Sequence, residues 1–175
     1  MEDFAILHKL ELVLRDRLTA NPKESYAASI YEKGIIRIMD KLGEEMNELM
    51  VAVACDKDER VVSEAADTYF HLLIFITFIG LPLDKLTNKL TNNPAASNEV
   101  PSDELAKQTA IRNASQSIGI IIARMVSFTK DDSSIKDDLI KDVNELFTHI
   151  TQLHLSRNLG FGLVADELNT RVKPK

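Results

Sequence analysis

Glu45 and Glu48 stand three residues apart in Gly43-Glu44-Glu45-Met46-Asn47-Glu48, and Glu64 and Asp67 repeat that spacing in Glu64-Ala65-Ala66-Asp67. Residues three apart share one face of a helix. The charged segment between the pairs, residues 55–60, reads as a turn that folds two helices antiparallel. Four carboxylates then converge on one point. Ionised, they cannot share a small volume unless a cation neutralises them. A ligand set made only of oxygen favours a hard ion, Mg²⁺ first and Mn²⁺ second.

A glutamate-rich solvated helix gives the same first pair with no ligand at all. The second pair argues against that reading. From Val61 to Leu81 the chain is apolar almost all round, with Val62, Ala65, Tyr69, Leu72, Leu73 and Ile76 on one side and Phe70, Ile74, Phe75 and Phe78 on the rest. Such a helix is buried on most sides. Glu64, Asp67 and His71 fall in one narrow sector of it. Acids held there are poorly explained by solvation, and buried acids mark sites.

The elements that must position these residues are helical. Gly and Pro are few (6 and 5), and apolar residues recur at helical spacing with no strand pattern. Ile6, Leu10, Val13 and Leu14 predict a first helix that breaks near Asn21-Pro22. Ser25 can cap the next helical segment, and a long helix runs from about Ile35 to Ala54. The apolar helix 61–79 ends at Gly80-Leu81-Pro82, and a short helix, 83–91, comes next. Asn92-Asn93-Pro94 and Val100-Pro101 mark a linker. Two more helices are expected at roughly 104–129 and 134–157. The fold class is all-α, a helical bundle.

The long helix also carries a cationic row. Lys33, Arg37 and Lys41 lead at intervals of four into Glu45, with Glu44 and Glu48 on the same side. Salt bridging on a wet surface accounts for Lys41 and Glu45. A phosphate track accounts for the whole row: cations take some phosphate oxygens while a metal on the acids bridges others. Arg17 and Tyr26 lie just upstream and could add a donor and a stacking ring.

Composition narrows the classes. The 175 residues suit one compact domain or two small ones, and 45% are hydrophobic against 27% charged. A net charge of −6 and a pI near 5.2 argue against a nucleic-acid partner. The single cysteine, Cys55, leaves no internal disulfide and fits a reducing compartment. The acidic start Met1-Glu2-Asp3 does not begin a signal peptide, and the longest apolar run, Leu72 to Leu83, is too short to span a bilayer. A cytoplasmic protein without a membrane partner is expected.

The stretch from Leu10-Glu11 and Arg17 through Ser25-Tyr26-Ala27, Lys33-Gly34, Arg37-Ile38, Lys41-Leu42-Gly43-Glu44-Glu45, Glu48, Glu64 to Asp67, His71-Leu72-Leu73 and Gly80-Leu81 resembles the phosphoribosyl-ATP pyrophosphohydrolase family. That family lies within the MazG-like all-α nucleoside-triphosphate pyrophosphatases. The paired acids mark the wider group, and the run from Ser25 to Glu45 is more specific to the histidine-pathway enzyme. The likeness covers about residues 5–92. It implies a bundle built by dimerisation, dependence on Mg²⁺ (with Mn²⁺ as a substitute), and cleavage between the α- and β-phosphates of a nucleotide. Carried over residue by residue, it implies that Glu45, Glu48, Glu64 and Asp67 ligate the metal. Lys33, Arg37 and Lys41 would face the phosphates, with Arg17 and Tyr26 near the substrate. Glu44 is either an outer ligand or a base that orients water. His71, four residues after Asp67, is read as a satisfied, half-buried ring, with a hydrogen bond to that carboxylate or to a substrate as the competing reading. A housekeeping nucleoside-triphosphate pyrophosphohydrolase and a non-catalytic nucleotide-binding or assembly protein are the other functions the sequence allows.

The second half departs from that pattern. Setting Gly119 against Gly43 and His149 against His71 brings Asp142 and Glu145 to the places of Glu64 and Asp67, with Gly160 at that of Gly80. Ile120, Ile121 and Arg124 replace Glu44, Glu45 and Glu48, and Thr109, Asn113 and Ser117 replace Lys33, Arg37 and Lys41. An internal repeat is the simplest account, with chance helical similarity as the alternative, and the expected organisation is a catalytic copy (1–92), a linker (93–104) and a degenerate copy (105–175) in a tandem pseudo-dimer. Ile118, Ile121, Ile122 and Met125 would bury against the first half, Arg124 would pair with Asp142 or Glu145, and whole chains could dimerise further.

Overall fold

The computed structural model describes residues 5–85, 103–126 and 133–171. All regular structure among them is helical: α1 (Ala5–Arg17), α2 (Tyr26–Glu32), α3 (Gly34–Cys55), α4 (Asp58–Ile79), α5 (Glu104–Met125), α6 (Ser133–Leu155) and α7 (Phe161–Arg171). The expected short helix at 83–91 is described only for its first turn, 83–85, and most of the expected linker lies outside the described residues.

Two antiparallel hairpins, α3 with α4 and α5 with α6, make the bundle, and α1 and α7 lie against α4. Ser25 does cap α2, its hydroxyl accepting from the Ala28 amide at 3.4 Å. Gly80 ends α4 in the left-handed conformation (φ 72°), where a side chain would be strained, and the Leu81 amide reaches back to the Ile76 carbonyl at 3.0 Å. The turn between α3 and α4 is shorter than the sequence suggested. Asp58, Glu59 and Arg60 already form the first turn of α4, where the two acids complement the helix dipole.

α4 is the centre of the molecule. It is long and apolar enough by composition to cross a membrane, yet 72% of its most apolar stretch is buried inside the protein. Tyr69, wholly buried, joins it to the second half: its ring meets Phe147 at 4.9 Å and Phe161 at 5.5 Å, and its hydroxyl lies 2.8 Å from the Thr151 hydroxyl. Arg157 closes the other end. Its guanidinium donates to the last carbonyls of α3, Ala52 and Val53 at 3.3 and 3.0 Å, and to the Asp56 carbonyl and Asp58 carboxylate at 3.0 and 2.7 Å. A cation there satisfies the Val53 carbonyl at the helix end and adds to the Ala52 carbonyl, which already accepts from the Asp56 amide at 2.9 Å.

In the second half Ile118 and Ile121 are buried as expected, and Met125 partly so. Ile122 is not: it is 46% exposed, because it sits one residue round the helix from Ile121 and faces a groove beside α3. The left-handed residue after α6 is Asn158 (φ 59°) rather than Gly160, since asparagine tolerates that conformation. The sequence pattern also missed α7, an eleven-residue helix whose Phe161, Val164 and Leu168 are buried.

Candidate metal and phosphate site

The first hairpin brings the acids together. Thr68 fixes the approach: wholly buried on α4, its hydroxyl lies 2.7 Å from the Glu64 carbonyl and 3.2 Å from the Glu45 carbonyl of α3. Around that crossing, carboxylate oxygens of Glu45, Glu48 and Glu64 lie within 4.8 Å of one another. Glu45 and Glu64 are buried (7% and 4% exposed) and Glu48 is exposed. One Glu64 oxygen, Oε2, is buried without a hydrogen-bond partner. Burial, and then the nearby Glu48 and Asp67 charges, raise the Glu64 carboxyl to about 7, with Arg60 opposing them. An orphaned buried oxygen and an acid held reluctant to ionise, beside two further acids, fit a divalent cation.

Asp67 is the expected ligand that stands apart. It is not among the oxygens within 4.8 Å, and its Oδ1 accepts two hydrogen bonds from Arg171 of α7, Nε at 3.0 Å and Nη2 at 2.8 Å. Arg60 does the same for the cluster itself, reaching Glu64 at 2.8 Å and Glu48 at 3.5 Å. Neither arginine was read from the sequence as part of the site. Arg60 had a signal, since it precedes Glu64 by four residues, but its segment was read as a turn. Arg171 had none, being 104 residues from its partner.

Lys41 lies between Glu44 and Glu45, with Nζ 2.9 Å from each. Burial works against its charge, but the bonds to Glu45 and Glu44 outweigh it and hold the ammonium above its ordinary value. The same Lys41 bond holds the exposed Glu44 carboxyl low. Arg37 turns to Asp40 at 2.9 Å, and Lys33 is exposed at the junction of α2 and α3. The cationic row thus runs from the N-cap of α3 along that helix, and of its three members Lys41 is the one joined to the acids. Arg17, half-buried in the last turn of α1, makes no hydrogen bond to them.

His71 is buried with both nitrogens engaged, as the satisfied-ring reading expected. Nδ1 is 2.9 Å from the Asp67 carbonyl, which can only accept, so Nδ1 carries the proton and Nε2 accepts from the Tyr26 hydroxyl at 3.0 Å. Burial lowers its pKa, which keeps the ring neutral. The Tyr26 ring is 53% exposed and stacks on Phe70 at 6.5 Å, leaving an aromatic face beside the acids. A groove of about 770 Å³ between α3 and α5 shares Glu44 with this site but none of the three clustered acids.

In the second half Arg124 pairs with Asp142, and with Asp138 at 2.7 Å. When Gly119 is matched to Gly43 and His149 to His71, Arg124, Asp142 and Asp138 take the places of Glu48, Glu64 and Arg60. The cation has moved from the first turn of one helix to the helix that faces it. Ser117 meets His149 at 2.7 Å where Lys41 and His71 stand in the first half.

A phosphoribosyl-ATP pyrophosphatase of Ruthia magnifica is 37% identical to the chain over 86 residues, which cover 82% of that protein and 49% of this one. The chain belongs to the phosphoribosyl-ATP pyrophosphohydrolase family. The family profile of that description matches residues 7–93, a span that holds the whole acidic cluster, Lys41, Tyr26 and His71. The phosphoribosyl-ATP pyrophosphatase of Pyrobaculum aerophilum is 39% identical over 85 residues, 90% of its length. The histidine biosynthesis bifunctional protein HisIE of Vibrio cholerae is 40% identical over 84 residues, which make up 40% of it. The chain therefore spans about two fifths of such bifunctional relatives. No solved structure matches it significantly. Helices α5 to α7 lie beyond the family profile.

Proposed function

We propose that the chain hydrolyses the α–β phosphate bond of phosphoribosyl-ATP, releasing pyrophosphate and phosphoribosyl-AMP, in the cytoplasm and in the course of histidine biosynthesis. The observation that carries this reading is the convergence of Glu45, Glu48 and Glu64 within 4.8 Å, beside Lys41, inside the family span. Glu45, Glu48, Glu64 and Asp67 would hold the metal, and their all-oxygen chemistry selects Mg²⁺. When bound, that ion polarises a phosphoryl oxygen and acidifies an attacking water.

The chain's own residues do the rest. Lys41 holds its ammonium charged between Glu44 and Glu45, and with Arg37 and Lys33 it offsets charge that develops on the departing pyrophosphate. Glu44, ionised and exposed, orients the water or serves as an outer ligand. Tyr26 offers its ring to the nucleobase while His71 fixes its hydroxyl. Arg17 would reach the sugar-phosphate end of the substrate. The second half is a degenerate copy that keeps the apolar faces of the first covered, a reading supported by the Arg124–Asp142 pair.

A pyrophosphate-release assay tests the proposal. Phosphoribosyl-ATP should be turned over with much higher kcat/KM than ATP or other common triphosphates, and only with a divalent ion. Equal or better turnover of the common triphosphates would point to the housekeeping activity instead.

A further inference from the structure

We propose that Arg171 is an internal counter-ion that holds Asp67 out of the carboxylate cluster and competes with the divalent ion for it, so that the C-terminal helix sets how tightly the site takes its metal. The proposal rests on the reading of the acidic cluster as a metal site.

Each acid of the site has an internal cation. Lys41 serves Glu45 at 2.9 Å, and Arg60 serves Glu64 and Glu48. Both come from the helices that carry the acids or face them, so their placement comes with the first hairpin. Arg171 comes from elsewhere. Phe161, Val164 and Leu168 bury one stripe of α7, and Arg171 is the next position on that same stripe. The packing that docks α7 therefore also aims the guanidinium. Glu167 holds it from behind, its Oε1 accepting from Nη1 at 2.7 Å and its carbonyl at 3.0 Å. Nε and Nη2 are left for Asp67.

Both bonds go to one oxygen, Oδ1, and the pair is only partly open to water, with side chains 19% and 32% exposed. Asp67 comes one helical turn after Glu64 on the same face, yet its oxygens are absent from the 4.8 Å group. A guanidinium fixed on a carboxylate has the same electrostatic effect as a cation bound there. For Asp67 to join the ion, the Arg171 contact must loosen. Occupancy by arginine and by metal are then alternatives.

Calorimetric Mn²⁺ titration of the full chain, without substrate, tests this directly. R171Q should bind Mn²⁺ more tightly, by about three- to tenfold, the loss of one competing ion pair of ~1 kcal/mol. R171K, which keeps a charge but not the two-pronged contact, should fall between R171Q and the wild type. In a D67N background, R171Q should change Mn²⁺ affinity little, because the carboxylate in dispute is gone. R171Q should also lower the thermal midpoint in EDTA while gaining more from added Mn²⁺ than the wild type. If R171Q does not fold, R171K and the D67N pair of variants decide. Equal or weaker Mn²⁺ binding in R171Q and R171K, with the fold intact, overturns the competition and leaves the metal site standing. A wild-type chain that binds no divalent ion overturns both.

Discussion

Glu64 is the residue on which the chemistry of the site turns, because it is the most buried of the acids and has an oxygen that nothing in the protein satisfies. Its carboxyl titrates near 7, chiefly because burial disfavours the charge. In metal-free protein the folded state holds a proton on Glu64 that the unfolded chain releases above the ordinary value of 4.5. Folding stability contributed by this group should fall as pH rises from about 4.5 to about 7, a trend that thermal unfolding in EDTA would read. A divalent ion must displace that proton, so Mn²⁺ affinity should climb over the same interval and level off above it, with proton release seen by calorimetry in buffers of different ionisation enthalpy. Glu48→Gln removes a ligand charge with little change of shape and should lower kcat by roughly 10²-fold at saturating Mg²⁺. Near-normal turnover would remove Glu48 from the ligand set.

The hairpin of α3 and α4 sets the geometry, and the elements around it keep it closed. Thr68 holds the two backbones together at the level of the clustered acids, while Arg157 grips the turn that joins them. Arg157→Ala removes every one of those charge-assisted contacts and leaves the Val53 carbonyl without the guanidinium, while the Ala52 carbonyl keeps the Asp56 amide. It should cost about 2 kcal/mol, measured as a lower urea midpoint with unchanged slope. Because the acids of α3 lie about two to three helical turns from that end, kcat should change less than stability does. On the other hairpin, Asp142→Asn with Glu145→Gln takes away the Asp142 charge from Arg124 and leaves it Asp138. That double variant should lose some stability but keep most activity; a large loss of turnover would mean that the second hairpin takes part in the reaction.

Across the whole molecule, the two halves are unequal in chemistry and shared in structure. Tyr69 lies wholly inside, with Phe147 and Phe161 of the second half against its ring. Ending the chain after Pro94 would bare that surface of α4. The shortened chain should aggregate or be forced into homodimers, read by light scattering on a sizing column, while the full chain keeps its α4 covered. Titration of the full chain should count one tight divalent site, since the place facing Asp142 is filled by Arg124.

The sequence alone determined what depends on local spacing. The intervals of three and four placed Glu45, Glu48, Glu64 and Asp67 on helix faces, gave the all-α class, and tied Lys41 to Glu45, because helical periodicity acts over a few residues. It also pointed to the cation that neutralises Asp142, since Arg124 stood where an acid was missing. Only the tertiary structure decided how those faces meet. Three of the four acids converge while Asp67 turns to Arg171, a residue 104 positions away on a helix whose short apolar stripe carried too little periodicity to be read. Ile121 and Ile122 are equally apolar, yet one is buried and the other opens onto a groove, because only one side of α5 packs against its neighbours. Contacts between residues far apart in the chain depend on how helices pack, and helix packing depends on the whole surface of both partners.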